Sequence, residues 1–274
     1  MIELAPGHKR GLSLANPVMN ASGVLGFASE SRGVVALGGL GAFLTNALSA
    51  RPRVAAHPPN VVELPNGVLV HTGLPNPGLG TALRRYASSW QRLGIPVIVH
   101  LAASTPSEMR QCIAQIEKSD AASAVELGLR DDIAAADLAQ LVRSAVGTLP
   151  IIVRLPLERT VELCGTAAEA GADALTVGAP PRRTLQFEER TVTGRLYGPE
   201  VLPATIDTVR AASGNLHEPG LPIIGAGGMF SMEAVREVLA AGAAAVQLDA
   251  VLWRNPECVS QWAIPATYRA ARLP

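Results

Sequence analysis

Short apolar segments alternate with longer stretches of helical periodicity over the whole chain. Eight segments rich in Val, Ile, Leu and Ala can be counted: PVMNAS (17–22), AFLTNAL (42–48), PVIVHLA (96–102), AVELGL (124–129), IIVRLP (151–156), ALTVGA (174–179), PIIGAGG (222–228) and AVQLDA (245–250). Nearly continuous apolar runs separated by helices are typical of parallel strands buried on both faces. Eight such units predict an α/β fold, a TIM (β/α)8 barrel. An open doubly wound sheet is the alternative, because the number of strands does not prove closure.

The segments between the strands carry the punctuation expected of helices. Helices are predicted at 107–118, 133–146, 158–170, 232–241 and 257–272. Pro or Ser stands near several starts and Gly follows several ends, as helix caps require. A short β-hairpin is predicted at the N-terminus, and residues 1–274 are predicted to form a single domain.

Two connections are too long to be simple turns. Residues 49–79 follow the second predicted strand, and residues 180–199 follow the sixth. Both leave the carboxyl ends of strands, where barrels assemble their active sites. We therefore expect both loops to form lids or pocket walls.

Charge and cysteine content exclude several classes of function. The formal net charge is zero and the sequence pI is about 7.0, so no global field attracts nucleic acid or an anionic membrane. Cys112, Cys164 and Cys258 form no CxxC motif, which argues against a disulfide framework or a metal site. No apolar run reaches the roughly 18 residues of a membrane helix. A cytoplasmic protein with a small-molecule substrate is expected.

Polar residues at the ends of the predicted strands nominate the site. They are Asn20, Ser22, Thr45, Asn46, His100, Arg130, Asp131, Asp132, Arg154, Gly178, the glycine-rich run 225–228 and Asp249. His71 and His100 could act as acid or base near neutral pH. No carboxylate stands at a telling spacing from His100, which favours a structural or lining role for it.

The segment GAGGMFSMEA (225–234) is the most informative local motif. A Gly-rich turn between a strand and a helix exposes backbone N–H groups, and the helix N-terminus adds a partial positive charge. This combination favours phosphate binding late in a barrel. The alternative is a tight turn that simply needs small residues.

Three stretches together resemble the dihydroorotate dehydrogenase family, FMN-dependent TIM barrels of pyrimidine metabolism that oxidise dihydroorotate to orotate. They are NPVMNASGVLG (16–26), RPRVAAHPPNVVELPNGVLVHTGLPNPG (51–78) and IIGAGGMFSMEAVREVLAAGAAAVQL (223–248), and the similarity runs over essentially the whole chain. The resemblance implies FMN contacts from Ala21, Ser22, Gly23, Thr45, Asn46, Arg154, Gly198, Gly227 and Gly228. It implies substrate contacts from Asn46, His71, Thr72, Gly73 and Leu74. It also implies a homodimer and, as a further partner, an electron-transfer protein.

The chain departs from the family pattern at the substrate positions. Asn46 stands where the family usually has a lysine that touches flavin and substrate, and Val70 stands for an Asn that binds the pyrimidine. After the fourth strand, Gly128 and Ile133 replace two Asn residues, and Asp131 replaces the cysteine that acts as base. Each lost buried hydrogen bond costs about 1 to 3 kcal/mol, so dihydroorotate itself is not the expected substrate.

The chain also departs at the flavin positions. Arg154 replaces the family lysine beside the flavin and keeps its positive charge. The last strand ends in Asp249-Ala250, where the family has Gly-Thr or Gly-Ser around the flavin phosphate. A carboxylate about 5 Å from that phosphate would cost roughly 3 kcal/mol at an effective dielectric near 20.

Three functions remain open from the sequence. The first is a diverged flavoprotein oxidoreductase in which Asp131 removes a substrate proton. The second is a barrel that has lost FMN and redox activity and serves as a binding or partner protein. The third is a non-flavin isomerase or lyase for a phosphorylated metabolite. Asp131 or Asp132 could instead cap a helix that begins near Ile133.

Overall fold

The computed structural model of the protein describes residues 1–31, 33–216 and 221–262. In chain order the strands are β1 (Ile2–Glu3), β2 (Ser13–Leu14), β3 (Val18–Asn20), β4 (Phe43–Leu44), β5 (Val61–Leu64), β6 (Gly67–Val70), β7 (Val97–Leu101), β8 (Ala124–Gly128), β9 (Ile151–Pro156), β10 (Ala174–Ala179), β11 (Arg182–Phe187), β12 (Arg190–Tyr197), β13 (Ile223–Ala226) and β14 (Ala245–Leu248). The α-helices are α1 (Leu79–Gln91), α2 (Pro106–Ser119), α3 (Ala135–Ala145), α4 (Thr160–Glu169), α5 (Leu202–Asn215), α6 (Met232–Ala240), α7 (Val251–Arg254) and α8 (Cys258–Gln261).

Eight parallel strands form the central sheet, in the order β3-β14-β13-β10-β9-β8-β7-β4. A parallel bridge between Met19 and Ala42 links β3 to the segment that enters β4, so the two ends of the sheet meet. Helices connect successive strands and cover the outside. The TIM barrel prediction is confirmed, and the open sheet was the wrong alternative.

The predicted elements agree with the observed ones within a few residues. All eight apolar segments contain the barrel strands, and the first four predicted helices correspond to α2, α3, α4 and α6. Thr105 caps α2 by accepting a hydrogen bond from Glu108 N, and Ser231 caps α6 in the same way. The predicted helix 257–272 is observed only as α8, since residues 263–274 lie outside the described part.

The lower interior of the barrel is apolar and closed by the N-terminal hairpin of β1 and β2. Its buried residues are Met19, Leu44, Ile98, Ala124, Ile152, Ala174, Ile224 and Ala245, packed against Leu4, Ala5, Leu12 and Leu14. The predicted hairpin is therefore confirmed, and it fills the amino-terminal end of the barrel.

One step further along the strands, the interior becomes polar. Side chains two positions apart on a strand face the same side, and the next inward residues are His100, Glu126, Arg154, Thr176 and Gln247. All five are buried. The change from an apolar to a polar layer marks the carboxyl half of the barrel as the place for chemistry.

The two long connections form a second sheet beside the carboxyl end of the barrel. The hairpin β5–β6 comes from the first connection and the hairpin β11–β12 from the second, and they join in the order β11-β12-β6-β5. Arg195 pairs with Val70 and Tyr197 with Val68 across the junction. The sequence indicated two separate loops, whereas the structure shows one antiparallel sheet with its own small apolar cluster of Val62, Leu69 and Val192.

Candidate active site

Glu126 lies at the centre of a buried network of five side chains from five strands. Its Oε1 is 2.7 Å from His100 Nδ1, and its Oε2 accepts hydrogen bonds from Thr176 Oγ1 and Gln247 Nε2, both at 2.6 Å. Arg154 Nη1 donates to Gln247 Oε1 at 2.7 Å and lies 3.9 Å from Glu126 Oε1. The network is continuous around most of the barrel interior.

The carboxylate of Glu126 is held in its charged form by its neighbours. Burial raises the pKa of Glu126, but the hydrogen bond and positive charge of His100, the charge of Arg154 and the Thr176 hydroxyl outweigh it and lower the pKa to about 2. A buried charge costs several kcal/mol of desolvation unless it is paired. The charge of Glu126 is therefore stable in the interior only with His100 and Arg154 beside it.

His100 offers one ring nitrogen toward the carboxyl end of the barrel. Because Nδ1 faces an ionised carboxylate, it carries the hydrogen and Nε2 is the free position. Nε2 contacts no hydrogen-bond partner in the described ranges, yet no fully buried side-chain nitrogen or oxygen there lacks one. Nε2 therefore belongs to the 7% of His100 that is exposed.

Gly128 provides the space for this imidazole. It follows Glu126 by two residues on β8 and so faces the same interior. A Cβ atom at position 128 would overlap His100 Nε2. The ring of His100 thus occupies the room that a side chain on the neighbouring strand would need.

Asp249 lies within electrostatic range of Arg154. Arg154 is 9% exposed, and its Nη2 also donates to Gly178 O at 3.3 Å. Asp249 is 3% exposed and accepts a hydrogen bond from Ala250 N at 2.6 Å. Burial raises the pKa of Asp249 to about 6, against the opposing effects of that backbone N–H and of the Arg154 charge.

Two aromatic residues lie on the same side of the site. Burial raises the pKa of Tyr197, whose phenol lies within the electrostatic influence of Arg154 and Asp249. The Tyr197 and Trp253 rings are 5.7 Å apart, and Trp253 Nε1 donates to Val24 O at 3.2 Å. These contacts connect the β12 hairpin, the loop after β3 and the segment after β14.

The glycine turn after β13 keeps the geometry expected of an anion cradle. Gly227 has φ 106° and Gly228 has φ 79°, both in the region that favours glycine, and a Cβ at Gly228 would overlap the backbone of Leu202. The paired strands β13 and β14 end side by side, with Ala226 opposite Gln247, and Asp249 follows two residues after Gln247. A buried carboxyl group therefore lies at the end of the strand that neighbours the turn.

The side-chain amide of Asn20 connects the ends of the first two barrel strands. Asn20 Nδ2 donates to Leu44 O at 2.7 Å, and Leu44 N donates back to Asn20 Oδ1. Ala21 N donates to Leu248 O at 2.7 Å, which brings Ala21 next to Asp249. Ser22 and Gly23 follow directly and are more exposed than Ala21.

Thr45 and Asn46 are both engaged within the protein. The Thr45 hydroxyl accepts a hydrogen bond from His100 N at 3.2 Å. Asn46 Oδ1 accepts one from Gly26 N at 3.1 Å, and its backbone N–H donates to Gly26 O. Asn46 thus holds the loop after β3 against the end of β4.

Asp131, the predicted base, is paired with cations of the β11–β12 hairpin. Its Oδ1 accepts a hydrogen bond from Arg195 Nη2 at 2.6 Å, and its Oδ2 lies 3.8 Å from Arg182 Nη1. Arg159 Nη1 donates to the carbonyl oxygens of Asp131 and Ile133. The loop after β8 is therefore fastened both to the second sheet and to the start of α4.

The helix-capping alternative for these aspartates was wrong. Helix α3 begins at Ala135, and its N-cap residue Ala134 makes no side-chain capping bond. Asp132 instead forms two hydrogen bonds with Arg130, which lower the pKa of Asp132. Asp132 thus pairs locally with Arg130, and only Asp131 pairs with another segment, the β11–β12 hairpin.

The predicted substrate segment 71–74 lies on the first long connection. His71, Gly73 and Leu74 are exposed and Thr72 is half-buried. The backbone of this segment pairs with residues 56 and 60. Gly198 is buried at the end of β12, where a Cβ would approach Asn66 O at 2.7 Å.

The sequence interpretation missed Gln247 and also Glu126, which is the carboxylate partner of His100. A usable sign was present, since Glu126 and Gln247 are single polar residues inside otherwise apolar strands and share the inward phase of their neighbours. No group of three or more His, Cys, Asp or Glu residues within 1–31, 33–216 and 221–262 is arranged to hold a metal ion. Over the same residues, no helix has both the length and the apolar character needed to cross a membrane.

The structure is a (β/α)8 barrel with a layer of buried polar side chains toward the carboxyl ends of its strands. The family model for dihydroorotate dehydrogenase matches residues 8–263. Similar proteins named dihydroorotate dehydrogenase B (NAD(+)), catalytic subunit, occur in Geobacillus sp. (strain WCH70), with 33% identity over 90% of this chain and 84% of that protein. Those of Halalkalibacterium halodurans and Listeria monocytogenes serotype 4a are 32% and 33% identical, each over 90% of this chain and 86% of the relative. The chain belongs to the dihydroorotate dehydrogenase family.

Proposed function

We propose that the protein is an FMN-dependent oxidoreductase that acts on a carbon–carbon single bond next to a carbonyl, in a small molecule other than dihydroorotate. The observation that carries this proposal is Arg154. Its guanidinium stands at the family position of the lysine beside the flavin, is buried, and is fixed by Gln247 and Gly178 near the carboxyl ends of the strands. Family membership supports the proposed cofactor and reaction class.

The residues proposed to hold FMN form two groups. The backbone of residues 21–23, together with Thr45, Asn46 and Arg154, would contact the ring, and Gly198, Gly227 and Gly228 would accompany the phosphate end. FMN would supply a two-electron acceptor at this place. Arg154 would hold a positive charge beside it and thereby favour the added negative charge of reduction.

The phosphate end fits FMN only in one charge state of the protein. The positive φ angles of Gly227 and Gly228 fit a backbone cradle for an anion. Asp249 lies at the end of the strand that neighbours this turn, and an ionised carboxylate there would repel a phosphate. Because burial raises the pKa of Asp249 to about 6, its neutral form is accessible in mildly acidic solution. We propose that FMN binds best when Asp249 is protonated.

The proposed substrate differs from dihydroorotate because the amide side chains that recognise it in the family are replaced. Gly128 and Val70 carry no hydrogen-bonding side chain, and Asn46 is bonded to Gly26. We keep His71, Thr72, Gly73 and Leu74 as proposed substrate contacts, since they lie on the loop beside the second sheet. Asp131 is the base proposed from its place in the family pattern, with Arg195 fixing its orientation.

We further propose a homodimer with an electron-transfer partner in the cytoplasm. The support for the partner is that the relatives are named catalytic subunits. Co-purification from the native host, followed by identification of a stoichiometric second chain, would test it. A protein that purifies alone and transfers electrons directly to a soluble acceptor would contradict it.

The experiment for the cofactor is direct. The protein is purified and its visible spectrum is examined for bound flavin, before and after addition of FMN under mildly acidic and neutral conditions. A colourless protein that binds no added FMN in either condition would contradict the proposed function. If flavin is bound, Asp131→Asn is expected to abolish its reduction by substrate, and unchanged reduction would rule out Asp131 as the base.

A second function is favoured by the charges at two positions of the site. Asp249 lies at the strand end beside the glycine turn, and Asp131 faces two guanidinium groups, which suits a barrel that has lost FMN and serves as a binding or partner protein. The same spectrum decides between the two functions, because this alternative requires that FMN does not bind.

A further inference from the structure

We propose that His100 is the residue that exchanges a proton with the ligand bound at the mouth of the barrel, and that Glu126 is its positioning residue. The ligand class is a flat heterocycle with ring nitrogen or carbonyl groups. This deepens the proposed function, because it takes a flavin as that heterocycle.

The orientation of the imidazole is fixed from below. Glu126 Oε1 faces Nδ1 at 2.7 Å, while Oε2 is occupied by Thr176 and Gln247. The His100 backbone N–H is held by Thr45 Oγ1. With Nδ1 committed to the carboxylate, Nε2 is left as the acceptor of the neutral ring and as a donor of the protonated ring.

Gly128 leaves the room that the imidazole occupies. Any side chain at position 128 would overlap Nε2, and the resembling family carries an Asn there. The chain has thus exchanged an amide on β8 for an imidazole that reaches over from β7. An amide neither gains nor loses a proton near neutral pH, whereas an imidazole does.

The charges around His100 favour proton exchange without loss of the network. Two charged groups face it, Glu126 from β8 and Arg154 from β9, and Arg154 lies 3.9 Å from the same carboxylate oxygen. Arg154 and the Thr176 hydroxyl also lower the pKa of Glu126, so His100 is not the sole support of its charge. In the exchange, the Nε2–H bond breaks, a bond from that hydrogen to a ligand heteroatom forms, and the electron pair stays on Nε2.

The role of His100 toward the flavin is separate from the role of Asp131 toward the substrate. Both carboxylate oxygens of Asp131 face guanidinium groups, Arg195 at 2.6 Å and Arg182 at 3.8 Å. Nε2 of His100 forms no hydrogen bond within the part of the chain that the structure describes and retains exposed surface. A proton-transfer group needs an unoccupied position toward its ligand.

The first test needs no ligand. Nitrogen NMR of histidine-labelled protein, assigned with His100→Gln, is expected to show the neutral ring protonated at Nδ1. Glu126→Gln is expected to change the signals of His100 and to leave those of the exposed His57 unchanged. Protonation at Nε2 in the wild-type protein would overturn the inference.

The second test measures binding of FMN and of riboflavin, which lacks the phosphate, by quenching of flavin fluorescence across the titration range of imidazole. The wild-type affinity for riboflavin is expected to change up to about tenfold per pH unit, since one proton is coupled to binding. His100→Gln is expected to abolish this dependence and His57→Gln to preserve it. Equal pH dependence in His100→Gln and wild type overturns the inference alone. Failure of wild type to bind either flavin overturns the proposed function as well.

A third variant separates proton exchange from simple structural support. Gly128→Ala should displace the imidazole and weaken the pH dependence of riboflavin binding as His100→Gln does. Adding His100→Ala should remove the steric cost, so that the double variant regains the unfolding midpoint of His100→Ala alone. If Gly128→Ala keeps the full wild-type pH dependence, the contact between position 128 and Nε2 does not control the site.

Discussion

The two ends of the barrel interior are built on opposite principles. At the amino-terminal end, aliphatic side chains from all eight strands pack against Leu4, Leu12 and Leu14 of the hairpin, and the packing contains no charge. Toward the carboxyl end, Glu126, Arg154 and His100 are buried within the same strands only one layer further on. The first end is stabilised by burial of apolar surface, and the second is held by a network in which each charge needs its partners.

This difference separates stability from ligand chemistry along a single set of strands. Damage to the lower layer should lower stability and leave the properties of the site intact in the folded fraction. Damage to the upper layer should affect both, because buried polar groups that lose a partner are costly as well as functional. Variants of the two layers therefore test whether the division holds.

The largest loss of stability is expected for Glu126→Ala. It leaves Arg154 buried and unpaired, and removal of one partner from a buried ion pair typically costs about 3 to 5 kcal/mol. The free energy of unfolding from urea denaturation measures it. Glu189→Ala, on the exposed β11–β12 turn, is the matched control and should be indistinguishable from wild type. If Glu126→Ala is as stable as this control, the network does not bear on stability.

Leu14→Ala should cause the next largest loss of stability. Leu14 is fully buried in the hairpin, and truncation of such a side chain costs about 2 to 5 kcal/mol through lost burial and the cavity left behind. Unlike the Glu126 variant, its folded form should bind flavin with wild-type pH dependence. Val54→Ala, 88% exposed, serves as the control. A changed pH dependence in Leu14→Ala would show that the two ends of the barrel are coupled.

Asp249→Asn should stabilise the protein, with an effect that depends on pH. The pKa of Asp249 is raised from 3.8 to about 6, so its contribution to stability is fully present below the unfolded value and is lost as the pH rises through about 6. The ionised carboxylate therefore destabilises the wild-type protein at neutral pH.

The stability difference between Asp249→Asn and wild type should grow by about 1 kcal/mol from pH 5 to pH 7, as the linkage between proton binding and folding requires. Urea denaturation at the two pH values measures it. At neutral pH the variant should also bind FMN more tightly, relative to riboflavin, than the wild-type protein does. A difference in stability that does not vary with pH would show that Asp249 stays in one charge state.

The smallest effect on stability is expected for Asp131→Asn. The pair with Arg195 is partly exposed, and such pairs contribute up to about 1 kcal/mol. The expected result is a minor shift of the unfolding midpoint that disappears at high salt, compared with Arg195→Gln and the double variant. A loss as large as that of Leu14→Ala would instead mean that this ion pair holds the second sheet to the barrel.

The fold could be predicted from the sequence because its determinants are local and repeated. Each apolar run and each cap acts within a few residues, so the eight strands and helices α2, α3, α4 and α6 were recognised from periodicity and punctuation. The pairing of β6 with β12 could not be predicted, since it joins segments more than 100 residues apart and neither hairpin has a strong apolar alternation.

For the site, the sequence by itself determined which residues stand at the ends of the strands, and the family resemblance indicated which of them are replaced. It located Arg154, Asp131 and Asp249 at the carboxyl ends of the strands, because the position along a parallel strand fixes the end of the barrel at which a residue lies. It did not determine the partners of these residues. His100 lacked a nearby carboxylate in sequence, yet Glu126, 26 residues away, is its closest partner in space.

Only the tertiary structure decided those partners, for a physical reason. Strands that are distant in the sequence become neighbours when the barrel closes, and burial then makes each polar contact obligatory. Closure brought His100 and Arg154 to Glu126, placed Nε2 of His100 in the room that Gly128 leaves, and attached Asp131 to Arg195. The chain specifies the layers of the barrel by its pattern, and the closed sheet specifies which charges meet within them.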